Sequence, residues 1–290
     1  MGGELCEVAV IAGTPYDSGL GAHLLRAEGV AALPYATATS PDEQDSLQDR
    51  SPDILEASFH DLLEQLRRQQ VQLAMLFCNS LSSVVDHGNT VLPVVSPLTV
   101  YREVLPRLRS SLVVAGNAHA LLGVERTARL TNAGHRMLGV SDPMLVRGIE
   151  NGDPEAAFAA SHLPNSLRRA KDLGLDAVIL ACTHLTAIKR IIAASCDLIV
   201  IDVGSMLVDR TVSAVRNGSP TRSETTLSCG PGESPRSSPI RTGDHGRDAN
   251  PADGRLLHVG AISPDRQRYE AVITAGKAAN PAQPTSAIQP

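Results

Sequence analysis

The chain contains no tryptophan, and only three phenylalanines and four tyrosines among its 290 residues. A core that lacks large rings has to be assembled from Val, Leu, Ile and Ala, which suits parallel strands buried on both faces. No stretch reaches the roughly 18 consecutive apolar residues of a membrane span, so a membrane is not an expected partner. The first residues show no charged segment followed by an apolar run, which argues against a secretory leader. Positive charge is in short supply as well, with 26 Lys and Arg against 31 Asp and Glu and a net charge of −5. With no basic stripe, nucleic acid is not expected either. The five cysteines (Cys6, Cys78, Cys182, Cys196 and Cys229) are odd in number and scattered. Without a Cys-x-x-Cys pair, a zinc ribbon or a disulfide framework has no support, and no metal is expected. Gly116-Asn117 is a turn and not a Gly-x-Gly-x-x-Gly fingerprint, so no nucleotide cofactor is implied. Free thiols point to a reducing, cytoplasmic setting.

What is present is an alternation of short apolar runs and helical patterns. Strands are expected at Cys6–Ala12, Ala31–Tyr35, Val71–Phe77, Thr90–Val95, Ser111–Ala115, Arg136–Val140, Ala177–Ala181 and Leu198–Asp202. Helices are expected at Gly21–Glu28, Ile54–Gln70, Tyr101–Leu108, Leu121–Ala133, Glu155–Leu173, Leu185–Ala194 and Met206–Arg216, with Thr37–Pro52 a polar loop. This order predicts an α/β protein of two similar domains, each a mostly parallel sheet flanked by helices, with the active site in the cleft between them. The first domain is expected to span 1–95 and to be rejoined by 255–275, through a strand at Leu256–Ala261 and a helix at Pro264–Thr274. The second spans 96–216. The Ser-, Pro- and Gly-rich stretch 217–254 and the tail 276–290 have too few apolar residues to offset ordering entropy and are expected to be disordered.

Two strings carry the chemistry. Phe77-Cys78-Asn79-Ser80 and Ala181-Cys182-Thr183-His184 each place a cysteine at the end of an apolar run, with hydrogen-bonding residues directly after it. In open α/β sheets ligands bind outside the carboxyl ends of strands, where both cysteines, the Asp17-Ser18 segment and Gly116 fall. Thiolate is the basic form of cysteine and is favoured near helix N-termini and cations. Two such thiols facing one pocket can take a proton from one face of a carbon and return one on the other, which is racemisation without a cofactor. Taken singly, a cysteine reads as a small buried hydrophobe. Asp17-Ser18-Gly19 alone reads equally as a helix cap, and Glu150 before Asn151-Gly152 as a turn residue. Cys6 and Cys196 read as structural, and His23, His60, His87, His119 and His135 as surface or helix residues.

The motifs together resemble those of the aspartate/glutamate racemase superfamily, closest to its glutamate racemase branch. Asp17-Ser18-Gly19-Leu20-Gly21-Ala22 is similar to Asp-Ser-Gly-x-Gly-Gly, Cys78-Asn79-Ser80 to Cys-Asn-Thr, and Cys182-Thr183-His184 to Cys-Thr-His. Val146 to Gly152 is similar to the family's Val-x-x-x-Glu-x-Gly segment. The resemblance implies a cofactor-independent isomerase that interconverts L- and D-glutamate and supplies D-glutamate for peptidoglycan. An aspartate racemase, or a hydantoin racemase-like or maleate isomerase-like enzyme, is the alternative. By resemblance Cys78 and Cys182 are the acid/base thiols, Asp17 assists Cys78 and His184 assists Cys182. Ser18, Asn79, Ser80 and Thr183 hold the substrate, and Glu150 is a further polar group near the second thiol. The partners it implies are a small acidic amino acid and, at most, a second copy of the chain. Ala36 to Glu43 departs from the family's Asp-Thr-Ala-Arg-x-Pro-Tyr-Gly, and Leu185-Thr186 stands where Tyr-Pro is usual. These departures leave the two-thiol chemistry intact and bear on the contact to a glutamate side chain.

Overall fold

The computed structural model describes residues 8–47 and 49–218. Two four-stranded parallel sheets form it. The first has the order β2-β1-β3-β4, from β1 (Val8–Ala12), β2 (Ala32–Ala36), β3 (Leu73–Leu76) and β4 (Val94–Val95). The second has the order β6-β5-β7-β8, from β5 (Ser110–Ala115), β6 (Arg136–Ser141), β7 (Ala177–Ala181) and β8 (Ile199–Asp202). The orders are the same with every label advanced by four, so the likeness of the two halves is topological. In each sheet the first and third strands are neighbours while the second lies outside them. The chain therefore leaves the first strand in one direction and reaches the third from the other, opening a crevice at their carboxyl ends. In register, Ile11 pairs with Leu76 and Val114 with Leu180, each two residues before the cysteine, so the two crevices are built at matching heights.

Strands β1, β3, β5 and β7 are buried along their full length, as near-continuous aliphatic strands between helical layers must be. One apolar core joins both sheets: Val10, Met75 and Phe77 belong to the same cluster as Val113, Ile179 and Leu207. Each half has a further core on its outer side. In the first half, α3 (Pro52–Arg68) buries Phe59, Leu63 and Leu66 against β1 and β3. Burying each of these contributes roughly 1.5–3 kcal/mol. Among the described residues no helix is long and apolar enough to cross a membrane.

Several boundaries differ from the sequence reading, each for a local reason. Helix α1 (Pro15–Ala27) begins well before Gly21, because the Thr14 hydroxyl caps it by accepting the Asp17 N–H and Pro15 starts the first turn. Asp17 and Ser18 thus sit in a helix and not in a loop. The polar segment 37–52 contains α2 (Pro41–Leu47), a helix with no buried residue. Its signal was present in Ser40-Pro41-Asp42-Glu43: Ser40 Oγ accepts the Glu43 N–H, and the Glu43 carboxylate accepts the Thr39 N–H at 2.7 Å. The single helix expected at Glu155–Leu173 is two, α8 (Pro154–Ala160) and α9 (Leu163–Asp172), parted at Ser161, whose ψ of 170° is extended. Pro164 has no N–H to carry the ladder through. The strand expected at Thr90–Val95 shrinks to two residues, and α7 (Pro143–Glu150) was not foreseen. The remaining helices are α4 (Asn79–Ser82), α5 (Pro97–Val104), α6 (Ala118–Thr131), α10 (Lys189–Ser195) and α11 (Val203–Arg216). The expected strand and helix of 255–275, residues 219–254, the tail, Cys6 and Cys229 lie outside the described residues.

Candidate active site

Cys78 follows β3 and Cys182 follows β7, the third strand of each sheet. Both line one cavity, together with Asp17, Asn79, Ser80, Thr183, His184 and Gly116. Hydrogen bonds cross the cleft above the shared apolar core. The Thr183 hydroxyl donates to Asp17 Oδ2 at 2.7 Å and lies 3.3 Å from the Phe77 carbonyl, so the residue after one cysteine grips the residue before the other. Gly116 follows β5 against the second thiol: a Cβ there would lie 3.2 Å from Cys182 Sγ.

The two sulfurs have different surroundings. Cys78 is buried, and burial pushes its thiol up from its ordinary value. Ser80 Oγ at 3.4 Å and the Leu81 N–H act the other way, while the Asp17 charge adds to the rise. The helix after Cys78, α4, is a single turn. The depression expected from a helix N-terminus is therefore outweighed by desolvation. Gln44 Nε2 donates to Cys78 Sγ at 3.7 Å. Cys182 instead sits beside a charged ring, with His184 Nδ1 3.7 Å from its sulfur.

His184 is buried between two carboxylates. Its Nδ1 lies 3.2 Å from Asp17 Oδ2 and its Nε2 2.6 Å from Glu150 Oε1. Burial opposes the charged ring, but Asp17, Cys182 and Glu150 together outweigh it and hold the pKa well above the usual histidine value. Tyr16 stacks on the ring with centroids 5.6 Å apart and 9° between planes. Glu150 also accepts from the Thr14 hydroxyl. Asp17 was assigned by resemblance to Cys78; its carboxylate faces His184 and Thr183. Glu150 supports His184 from behind and is not on the cavity wall, and Ser18 is buried with its hydroxyl toward the Pro15 carbonyl at 3.3 Å.

Asp17 is pushed up to about 6, first by burial, against the pull of His184 and Thr183. A carboxyl that binds its proton more tightly folded than unfolded contributes stability below pH 4 that is lost as pH rises through 6. Activity runs the opposite way, because the ionised carboxylate is the form that pairs with His184. The value of kcat/KM is expected to fall as pH drops through about 6, a window in which an amino acid substrate does not itself titrate. A profile flat from pH 5 to 7 would count against Asp17 as the partner of His184.

Sequence comparison assigns the whole central region of the chain. The profile of the Asp/Glu/Hydantoin racemase family matches residues 21–211. The chain belongs to this family.

No curated protein matches it by sequence. Solved racemases do match it in fold. A glutamate racemase of Bacillus anthracis superimposes with a TM-score of 0.57 at 13% identity, covering 73% of this chain and 82% of that one. An allantoin racemase of Pseudomonas fluorescens gives 0.52 at 16% identity over 81% and 99%. The aspartate racemase of Picrophilus torridus gives 0.52 at 11% identity over 72% and 94%. The family is one of isomerases, and the two-sheet α/β architecture is common to these relatives.

The racemase-family cleft of this chain is covered by α2. Pro41, Gln44 and Asp45 line it from above, and Arg147 on α7 reaches across to Asp42 and Asp45, each at 2.7 Å. The remaining cavity is small, about 30 Å³, room for very few waters, and α2 forms its cover. Arg147→Ala is expected to raise the hydrogen-exchange rate of residues 41–47 at least tenfold. Global stability should change by less than about 1 kcal/mol, since Asp42 is exposed and Arg147 and Asp45 are partly so. Unchanged exchange in that segment would show that the ion pairs do not hold it.

Of the residues singled out in the sequence, Cys78, Cys182, Asp17, His184, Asn79, Ser80 and Thr183 meet at one cavity, while Glu150 and Ser18 stand behind it. Sequence reasoning missed Gln44, Tyr101 and His119. Tyr101 donates to Asn79 Oδ1 and fixes that amide. No local pattern announces such a residue, because its partner lies on a different element. His87 and His135, read as surface residues, are buried. Among the described residues no group of three His, Cys, Asp or Glu side chains is arranged to hold a metal ion.

Proposed function

We propose that this chain is a cofactor-independent racemase that moves a proton between the two faces of a carbon beside a carboxylate, using Cys78 and Cys182 as the two acid/base groups. The observation that carries the reading is the sharing of one cavity by two thiols with different neighbours, Ser80 and Gln44 beside Cys78 and His184 beside Cys182. Cys78, whose thiol burial pushes up, keeps its proton and serves as the donor. Cys182 has a cationic ring beside it, the kind of partner a thiolate needs. In one direction the Cys182 thiolate takes the Cα proton, the electron pair passes onto the adjacent carboxylate as an enediolate, and the Cys78 thiol delivers its proton to the opposite face. Each turnover leaves the proton on the other sulfur, ready for the reverse substrate.

Two unpaired polar atoms support an α-amino acid as the bound species. Asp17 Oδ1 and Asn79 Nδ2 are buried without a partner among the described residues. The first is an acceptor suited to an ammonium and the second a donor suited to a carboxylate. By its motifs the first compounds to assay are L- and D-glutamate, with a role in supplying D-glutamate for peptidoglycan; aspartate and a cyclic ureide represent the alternative within the family. Incubation in heavy water without added cofactor is the test. Deuterium at Cα in product of inverted configuration supports the reading, and inversion with retention of the original hydrogen overturns it.

A further inference from the structure

We infer that the substrate carries an uncharged, largely apolar side chain, housed in a second cavity that opens from the Cys78 side of the first. The inference rests on the two-thiol reading and specifies its substrate. The second cavity shares Gln44, Cys78 and Ser80 with the first, so a substituent on a carbon poised beside Cys78 passes directly into it. Its walls are Leu47, Leu55, Leu81 and Val84, from α2, α3 and the segment after Cys78, with Thr37 and His119 completing it.

The charges point the same way. Among the described residues no Lys or Arg lines either cavity. The carboxylates of Asp17 and Asp45 face the first one. Arg147, which reaches over the first cavity, is committed to Asp42 and Asp45. His184 is committed to Asp17 and Glu150. A second carboxylate on the substrate would therefore be desolvated among leucines, with the Thr37 and Ser80 hydroxyls, the Gln44 amide and the His119 imidazole but no guanidinium or ammonium of the described residues to receive it. An aliphatic, thioether or amide side chain meets no such penalty, and the amide can use His119 or Thr37.

The experiment follows Cα deuterium incorporation by NMR in heavy water, with the full chain and a panel matched in length. The panel is L-glutamate, L-aspartate, L-glutamine, L-methionine and the hydantoin bearing the methionine side chain. At least one uncharged compound is expected to exchange with kcat/KM tenfold or more above both dicarboxylates. Leu55→Lys, which puts a cation on the apolar wall, is expected to raise the glutamate-to-glutamine ratio at least tenfold. Glutamate or aspartate as the fastest compound would overturn the inference and leave the two-thiol reading standing. No exchange with any member, in protein shown to be folded by circular dichroism, would remove both.

Discussion

Serine at either Cys78 or Cys182 is expected to lower racemisation in both directions by a factor of 10³ or more. General acid–base groups typically contribute 10²–10⁴ each, and a hydroxyl is several pKa units too weakly acidic to replace a thiol as donor or, ionised, as base. Each variant should lose both directions together, because the two enantiomers are equal in free energy and the ratio of forward to reverse kcat/KM is fixed at one. The substitutions should leave the fold intact. Cys78 has the Ser80 hydroxyl and the Gln44 amide beside it, either able to pair with a serine Oγ, so stability should shift by about 1 kcal/mol. The check is polarimetric or chiral-chromatographic turnover alongside a thermal melt. Turnover within tenfold of the parent in either variant would remove that cysteine from the mechanism.

His184→Ala is expected to be the most destabilising single change at the site, by about 3–5 kcal/mol, because it leaves two carboxylates of a buried cluster without their cation. For a chain of this size that is roughly 6–20 °C in Tm. The deficit should depend on pH with a definite sign. Without His184, nothing but the Thr183 hydroxyl favours ionised Asp17, so the carboxyl protonates at a higher pH than the value of about 6 it has in the parent. The neutral form carries no charge to desolvate, and the parent's charged His184 has its full stabilising effect by pH 6.5, so the gap to the parent should narrow as pH falls from 6.5 to 5. Denaturant titrations at those two values decide it. A loss below 1 kcal/mol at both would mean that solvent, and not His184, compensates the two carboxylates. His184→Gln, which can still donate to one carboxylate but carries no charge, should fall between the two and separate hydrogen bonding from charge.

These expectations rest on features that were not equally legible in the chain. The strands leading to Cys78 and Cys182 could be read because a strand buried on both faces is a short unbroken aliphatic run, and each ends at a cysteine that lines the cavity. The long polar segment 37–52 hid α2, since a helix that buries nothing has no apolar period; only the Ser40–Glu43 capping pattern marked it. The same segment supplies Gln44 to Cys78 and Asp42 and Asp45 to Arg147, so the part of the sequence least informative about fold sets the cover of the cleft.

The order of apolar and polar residues by itself determined the alternation of strands and helices, the parallel sheets, and the position of both thiols at strand ends, because those depend on periods of two and of 3.6 within a few residues. The partner of Asp17, the place of Glu150 behind His184, and the leucine-lined cavity beside Cys78 were decided by the tertiary structure alone. Each joins side chains far apart along the chain, and whether a carboxylate faces a thiol or a ring is fixed by how two sheets lie against one shared core, a quantity no local window of sequence contains.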